Sequence, residues 1–208
     1  MNTNIFDRLI LTEENYEDMD WYESTVHAMA FFPDSYELAI DIDFIFEWFD
    51  PGPGEKLFKM KIAPCTMVFE NVNELLIDLD VFDEIRIEQL SRDSPRVPSN
   101  AAYISKQTEW NWILDSTVGR ITLYSVGYNQ YVRHAPIITE NRVFTLSERG
   151  GISFIRGVTD QNGVPHITAW LTHSHQILKA FRLTFHNKAD IFHLFPQHKQ
   201  GILGDFSL

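Results

Sequence analysis

From Tyr36 to Trp48 every even-numbered residue is apolar: Tyr36, Leu38, Ile40, Ile42, Phe44, Phe46 and Trp48. The odd positions between them read Glu37, Ala39, Asp41, Asp43, Ile45 and Glu47. A two-residue period held over thirteen residues demands an extended strand with one apolar and one polar face. A helix of 3.6 residues per turn would scatter those seven large side chains around its circumference. The pattern therefore predicts a mainly β, antiparallel protein with a one-sided core.

The chain is long enough for such a core. Its 208 residues include 28 aromatics (16 Phe, 7 Tyr, 5 Trp) and are 44% hydrophobic, which excludes wholesale disorder. The expected architecture is two packed antiparallel sheets in a sandwich-like arrangement, with short helices near the two termini. Cys65 is the only cysteine and lies in an apolar run. That excludes a disulfide framework and reads as a small buried hydrophobe in a reducing, cytoplasmic setting. The opening residues show no basic segment followed by an apolar one, so no signal peptide is expected. No apolar stretch reaches the length of a membrane-spanning helix.

Charge is shared unevenly. Residues 1–100 carry 22 acidic and 7 basic side chains, a net of −15, whereas residues 101–208 carry 7 and 10, a net of +3. An acidic first half repels phosphate backbones and points away from nucleic acid. It leaves two uses for the acids: binding a basic protein, or facing the basic second half of the same chain.

Punctuation along the chain predicts a polar lead-in over 1–20 and a β core over 21–156. Beyond the core lies a His- and aromatic-rich extension, 157–208, packed on it. Asp50-Pro51-Gly52-Pro53-Gly54 is a strong turn signal after the long strand. Pro64 is expected to interrupt the next strand. Residues 91–102 (SRDSPRVPSNAA) read as a linker joining two halves of the core. Arg120 to Val126 and Tyr128 to Arg133 suggest a hairpin around Gly127, and Arg142 to Leu146 and Ile152 to Ile155 suggest strands around a turn at Gly150-Gly151. Residues 172–194 fit helix and strand equally.

Four constellations bear on function. The stripe Glu37, Asp41, Asp43, Glu47 spaces same-face carboxylates roughly 6.5–7 Å apart, within the range of an inverting glycosidase pair. A hairpin closed by the Pro-Gly turn would set Asp43 against Lys61 or Lys59, and Asp41 against Lys61, making the stripe a solvated, charge-paired face and a candidate partner-binding surface. His173 and His175 share a strand face, but Ile177 and Leu178 stand where an HxHxDH metal motif needs Asp and His. They are the leading metal candidates, with His166, His186, His193 and His198 available in principle as further ligands, and no cofactor is expected. Trp110 and Trp112 share a face as core or as a stacking platform for sugars. Arg133, Arg142, Arg149 and Arg156 lie near turns, as an anion-binding rim or as salt-bridge partners of the acidic first half. No Walker, Rossmann or G-x-S-x-G pattern occurs.

The segments Glu37-Leu38-Ala39-Ile40-Asp41-Ile42-Asp43-Phe44-Ile45-Phe46 and Ala63-Pro64-Cys65-Thr66-Met67-Val68-Phe69-Glu70-Asn71-Val72 resemble a bacterial β-rich family with ELxxDIDYIF-like and APxTxxFENV-like strands. The resemblance covers about residues 10–155. Its early motif tends to read Trp-His-Asp where this chain has Trp21-Tyr22-Glu23. The family carries no established activity; its general look is similar to acidic immunity proteins of toxin systems. The leading expectation is thus a non-enzymatic, acidic, cytoplasmic binding module, such as an immunity-type inhibitor of a basic toxin. The alternatives are a metal- or carboxylate-dependent hydrolase using His173 and His175, or a small-ligand or carbohydrate binder using Trp110 and Trp112.

Overall fold

The computed structural model describes residues 10–54, 56–80 and 83–157; the histidine-rich end, with His173 and His175, lies outside the described residues. The strands are β1 (Ile10–Thr12), β2 (Thr25–Phe32), β3 (Glu37–Phe49), β4 (Lys59–Phe69) and β5 (Asn73–Leu79). They continue as β6 (Ile85–Arg96), β7 (Glu109–Ser116), β8 (Gly119–Ser125), β9 (Tyr128–Val132) and β10 (Ile137–Thr139). A 3₁₀ helix, Glu13–Asp18, supplies the expected helix near the N-terminus.

All ten strands of the described residues belong to one antiparallel sheet, ordered β1-β9-β4-β3-β2-β6-β7-β8-β5, with β10 also on β4. The two expected layers are the halves of this one sheet. They join where Thr25 and Val26 of β2 pair with Arg86 and Ile85 of β6. The sheet folds over at that junction, so strands distant in the order meet face to face. Trp112 of β7 lies 5.6 Å from Phe69 of β4 and 5.5 Å from Tyr128 of β9, ring to ring. Trp112 is fully buried, and its indole N–H donates to the carbonyl of Ser125. Leu38, Ile40, Ile42, Phe44 and Phe46 of β3 face the same core, as the two-residue period requires.

The ends of that stripe depart from the pattern for local reasons. Tyr36 sits in the β2–β3 turn with φ +53° and is largely exposed. Phe46 occupies a bulge between Ile45, opposite Ile62, and Glu47, opposite Lys61. One extra residue reverses the facing of everything beyond it. Trp48, opposite Met60, therefore lies on the outer face beside Ile45, Met60 and Ile62.

Other expectations are corrected by topology. Pro64 does not break β4. The strand meets β10 through Met60, Lys61 and Ile62 and meets β9 from Cys65 onward, so Pro64 falls between two partners, where its missing N–H is not needed. The expected hairpin at Gly127 does not form. β8 pairs with β7 and β5, while β9 pairs with β4 and β1; Gly127, at φ +137°, carries the chain from one half of the sheet to the other. β6 continues through Arg96, well into the expected linker. Pro95 is tolerated there because it lies in a bulge between Asp93 and Arg96.

Replacing Trp112 by Ala is expected to cost about 3–5 kcal/mol, because one ring bridges both halves of the sheet. Urea unfolding followed by tryptophan fluorescence checks the magnitude.

Candidate functional site

Only one face of a half-solvated sheet should be dry, yet β3 is buried on both faces at its centre. Asp41 and Asp43 have no solvent exposure, and Ala39 and Ile45 beside them are also buried. The segment that follows β10 covers this outer face. Arg142 to Leu146 and Ile152 to Ile155, expected as strands, are turns and bends forming a strap across β3. The strap is held by side-chain ion pairs in place of a ladder.

Asp41 is the centre of that attachment. Arg149 grips it with two nitrogens, Nη2 to Oδ1 at 2.6 Å and Nη1 to Oδ2 at 2.8 Å. Arg133 Nη2 reaches the same Oδ1 at 2.6 Å, and the Ser153 backbone N–H donates to Oδ2 at 2.9 Å. Arg133 also donates through Nη1 to the Ser153 carbonyl at 2.6 Å. Asp43 receives Arg149 Nε at 3.2 Å, the Phe144 N–H at 2.9 Å and a contact from His27 Nε2 at 2.9 Å.

Local irregularity aims the histidine. β2 pairs Val26 with Ile42 and Ala28 with Asp41, leaving His27 as the extra residue of a bulge. Two carboxylates and two guanidiniums, all buried, thus cancel within one network, with both acids saturated by donors. Burial works to raise the Asp43 pKa, but the His27 hydrogen bond, the Arg149 charge and the Phe144 N–H together pull it below the ordinary value. Burial lowers that of Arg133, against the opposing charge of Asp41. A carboxylate so stabilised as the anion is a poor proton acceptor near neutrality. The network builds structure.

The four acids of the sequence stripe consequently part company. Asp41 and Asp43 lie inside and face no lysine; Pro64 stands opposite Asp43, and Thr66 opposite Asp41. The lysine pairing expected for them is thereby corrected, because the hairpin closes at Phe49 and Lys59 and carries the Phe46 bulge. Buried in this way, the two cannot themselves touch a partner. Glu37 is half-buried and binds Arg156 through both oxygens, at 3.0 and 2.6 Å. Glu47 is exposed opposite Lys61.

The four arginines singled out in the sequence all engage first-half acids: Arg133 and Arg149 as above, Arg142 with Glu23, and Arg156 with Glu37. Of the two tryptophans, Trp112 is core, and half-buried Trp110 carries the Arg92 guanidinium 4.6 Å above its ring. Cys65 is fully buried, its thiol pushed upward by desolvation. No group of three or more metal-ligating side chains occurs among the described residues, and no helix among them is long and apolar enough to cross a membrane.

A further group of carboxylates lies at the surface. Asp78, Asp80, Asp83 and Glu84 are exposed around the β7–β8 turn, where Asp80 N–H bonds Val118 O and Thr117 Oγ1 bonds Glu84 O. Two cations lie nearby: Arg120, opposite Asp78 in the β5–β8 ladder, pairs with Asp115, and Arg86 pairs with Glu23 and, at 3.9 Å, with Glu84. Sequence reasoning missed this division. The one available signal was the apolar company of Asp41 and Asp43 on the odd face, Ala39 and Ile45, which is unusual for a face left in water.

Comparison with family models, with curated proteins and with solved structures finds no match for the chain. The strand resemblance gains no family from it, and geometry alone carries the functional reading.

Asp41→Asn is expected to destabilise the protein by about 3–5 kcal/mol, since it strips the counter-charge from Arg133 and Arg149 while leaving them buried. Chemical denaturation measures this. For Asp43 the native pKa lies below the unfolded one. Its contribution is therefore complete above the usual carboxylate range and drains away as pH falls through the native value. Unfolding midpoints measured from pH 7 down to pH 3 should fall steeply at the acid end, and Asp43→Asn should flatten that fall.

Proposed function

We propose that the protein is an acidic, non-enzymatic binding module for a basic protein, the role an immunity-type inhibitor of a basic toxin would fill. The observation that carries this reading is the division of the acids. Arg133, Arg149, Arg156 and Arg142 neutralise Asp41, Asp43, Glu37 and Glu23 within the chain, whereas Asp78, opposite Arg120 in the ladder, and Asp80 form no ion pair among the described residues. Exposed negative charge thus includes a patch of Asp78, Asp80 and Asp83 at one end of the β5–β8 half. Such a field steers a positive partner into contact and rejects negative ones, nucleic acid included.

On this reading the binding surface shifts from the β3 stripe to the acids that tertiary structure leaves unspent. The module works in the cytoplasm, consistent with a lone, buried, unpaired cysteine. The buried network serves binding indirectly, by fixing the strap and keeping arginines from competing with the partner for the surface acids.

The test is affinity capture from the source cells at low salt, repeated at high salt and with an Asp78→Lys/Asp80→Lys double variant. A basic protein should be retained at low salt, released at high salt and lost with the double variant. Retention of no basic protein at low salt, or equal retention by the variant, overturns the reading.

A further inference from the structure

The strand order ends on β5. One edge of β5 pairs with β8, and among the described residues no strand pairs with the other. Its backbone N–H and C=O groups on that side form a ready template for another extended chain. Natural edges are often blunted by a bulge, and β5 has one, at its start: the register shifts between Asn73 and Leu76, with Glu74 at φ +50°. From Leu76 to Leu79 the ladder with β8 is regular.

The two faces of β5 differ in a way that specifies an occupant. Leu75, Ile77 and Leu79 pack against the core yet remain only half-buried, so the core is incompletely covered along this edge. The alternate residues Leu76, Asp78 and Asp80 are exposed, Leu76 at 62%. A strand added here would set one of its faces beside Leu75, Ile77 and Leu79 and the other beside Asp78 and Asp80. The complementary sequence alternates apolar and basic residues. A second copy of β5 is a poor occupant, because its own acids would stand against Asp78 and Asp80, and like charges set opposite each other destabilise a sheet.

We infer that the open edge of β5 takes up an extended segment of the basic partner as an added strand, with apolar and Lys/Arg residues alternating along it. This deepens the binding-module reading and rests on it. Backbone pairing supplies the register, the half-buried leucines and isoleucine gain cover, and the two aspartates select the sign of charge.

The experiment uses the full chain, isotopically labelled, titrated at low salt with a capped heptapeptide of alternating lysine and valine. A second peptide of the same sequence carries N-methyl groups on alternate amides, which keeps its charge and blocks strand pairing. The expected result is shifted backbone resonances for Leu75 to Leu79 with about tenfold slower amide exchange there, seen only with the unmethylated peptide. Equal shifts with both peptides, or shifts confined to other regions, overturn strand addition while leaving an acidic binding surface in place. Amides of β5 already protected before any peptide is added also overturn it, by showing the edge covered within the chain. No response to either peptide overturns both the edge inference and the broader reading.

Discussion

Asp41 cannot be buried without a cation, and that constraint organises much of the molecule. An isolated carboxylate in a dry interior is far too costly to persist as an anion. Arg149 and Arg133 therefore have to come inside with it, and each brings a piece of chain. Arg149 draws in the strap, whose Phe144 and Ser153 N–H groups complete the carboxylates' hydrogen bonding. Arg133, just past β9, ties the end of that strand to β3 across β4. The outer face of the central strand is closed by a set of charges that satisfy one another, and a second small core forms at its margin from Ile45, Met60, Ile62 and Phe144.

Such a network specifies geometry more than it stabilises. A buried ion pair regains in Coulomb energy and hydrogen bonds roughly what it loses in hydration. Apolar residues of the same volume would hold the strap as firmly but with less direction. The bidentate grip of Arg149 on Asp41, with its Nε on Asp43, admits one arrangement of the strap. It also withdraws Arg133 and Arg149 from the surface, while Arg142 and Arg156 stay at the rim paired with Glu23 and Glu37. The charge left at the surface is thus in part a by-product of how the sheet's outer side was closed.

Much of this was legible in the chain. Alternation from Leu38 to Phe46 placed five side chains in the core, and the charge split between halves together with the four arginines near turns pointed to pairing across the chain. What was not legible came from bulges and crossings. Phe46 and His27 each add one residue to a strand, and one residue is enough to move Trp48 to the outer face or aim an imidazole at Asp43. No local pattern marks either position. Ser91 to Arg96, the start of the expected linker, belongs to β6 although its residues are polar and mostly exposed, and polarity alone does not distinguish such a strand end from a loop. Gly127 likewise suits a hairpin and a crossing equally.

The sequence by itself determined the class of structure, since a two-residue apolar period leaves a long strand no alternative to a sheet with one greasy side. It also determined the inventory of charge and its imbalance. Only tertiary structure decided which charges are used up and which remain. Pairing Asp41 with Arg149 spans 108 positions of chain, and β5 pairs with β8, not with the strands beside it in sequence. Both are set by which strands lie next to which. Local periodicity, which senses only a few neighbouring residues, carries no record of that arrangement.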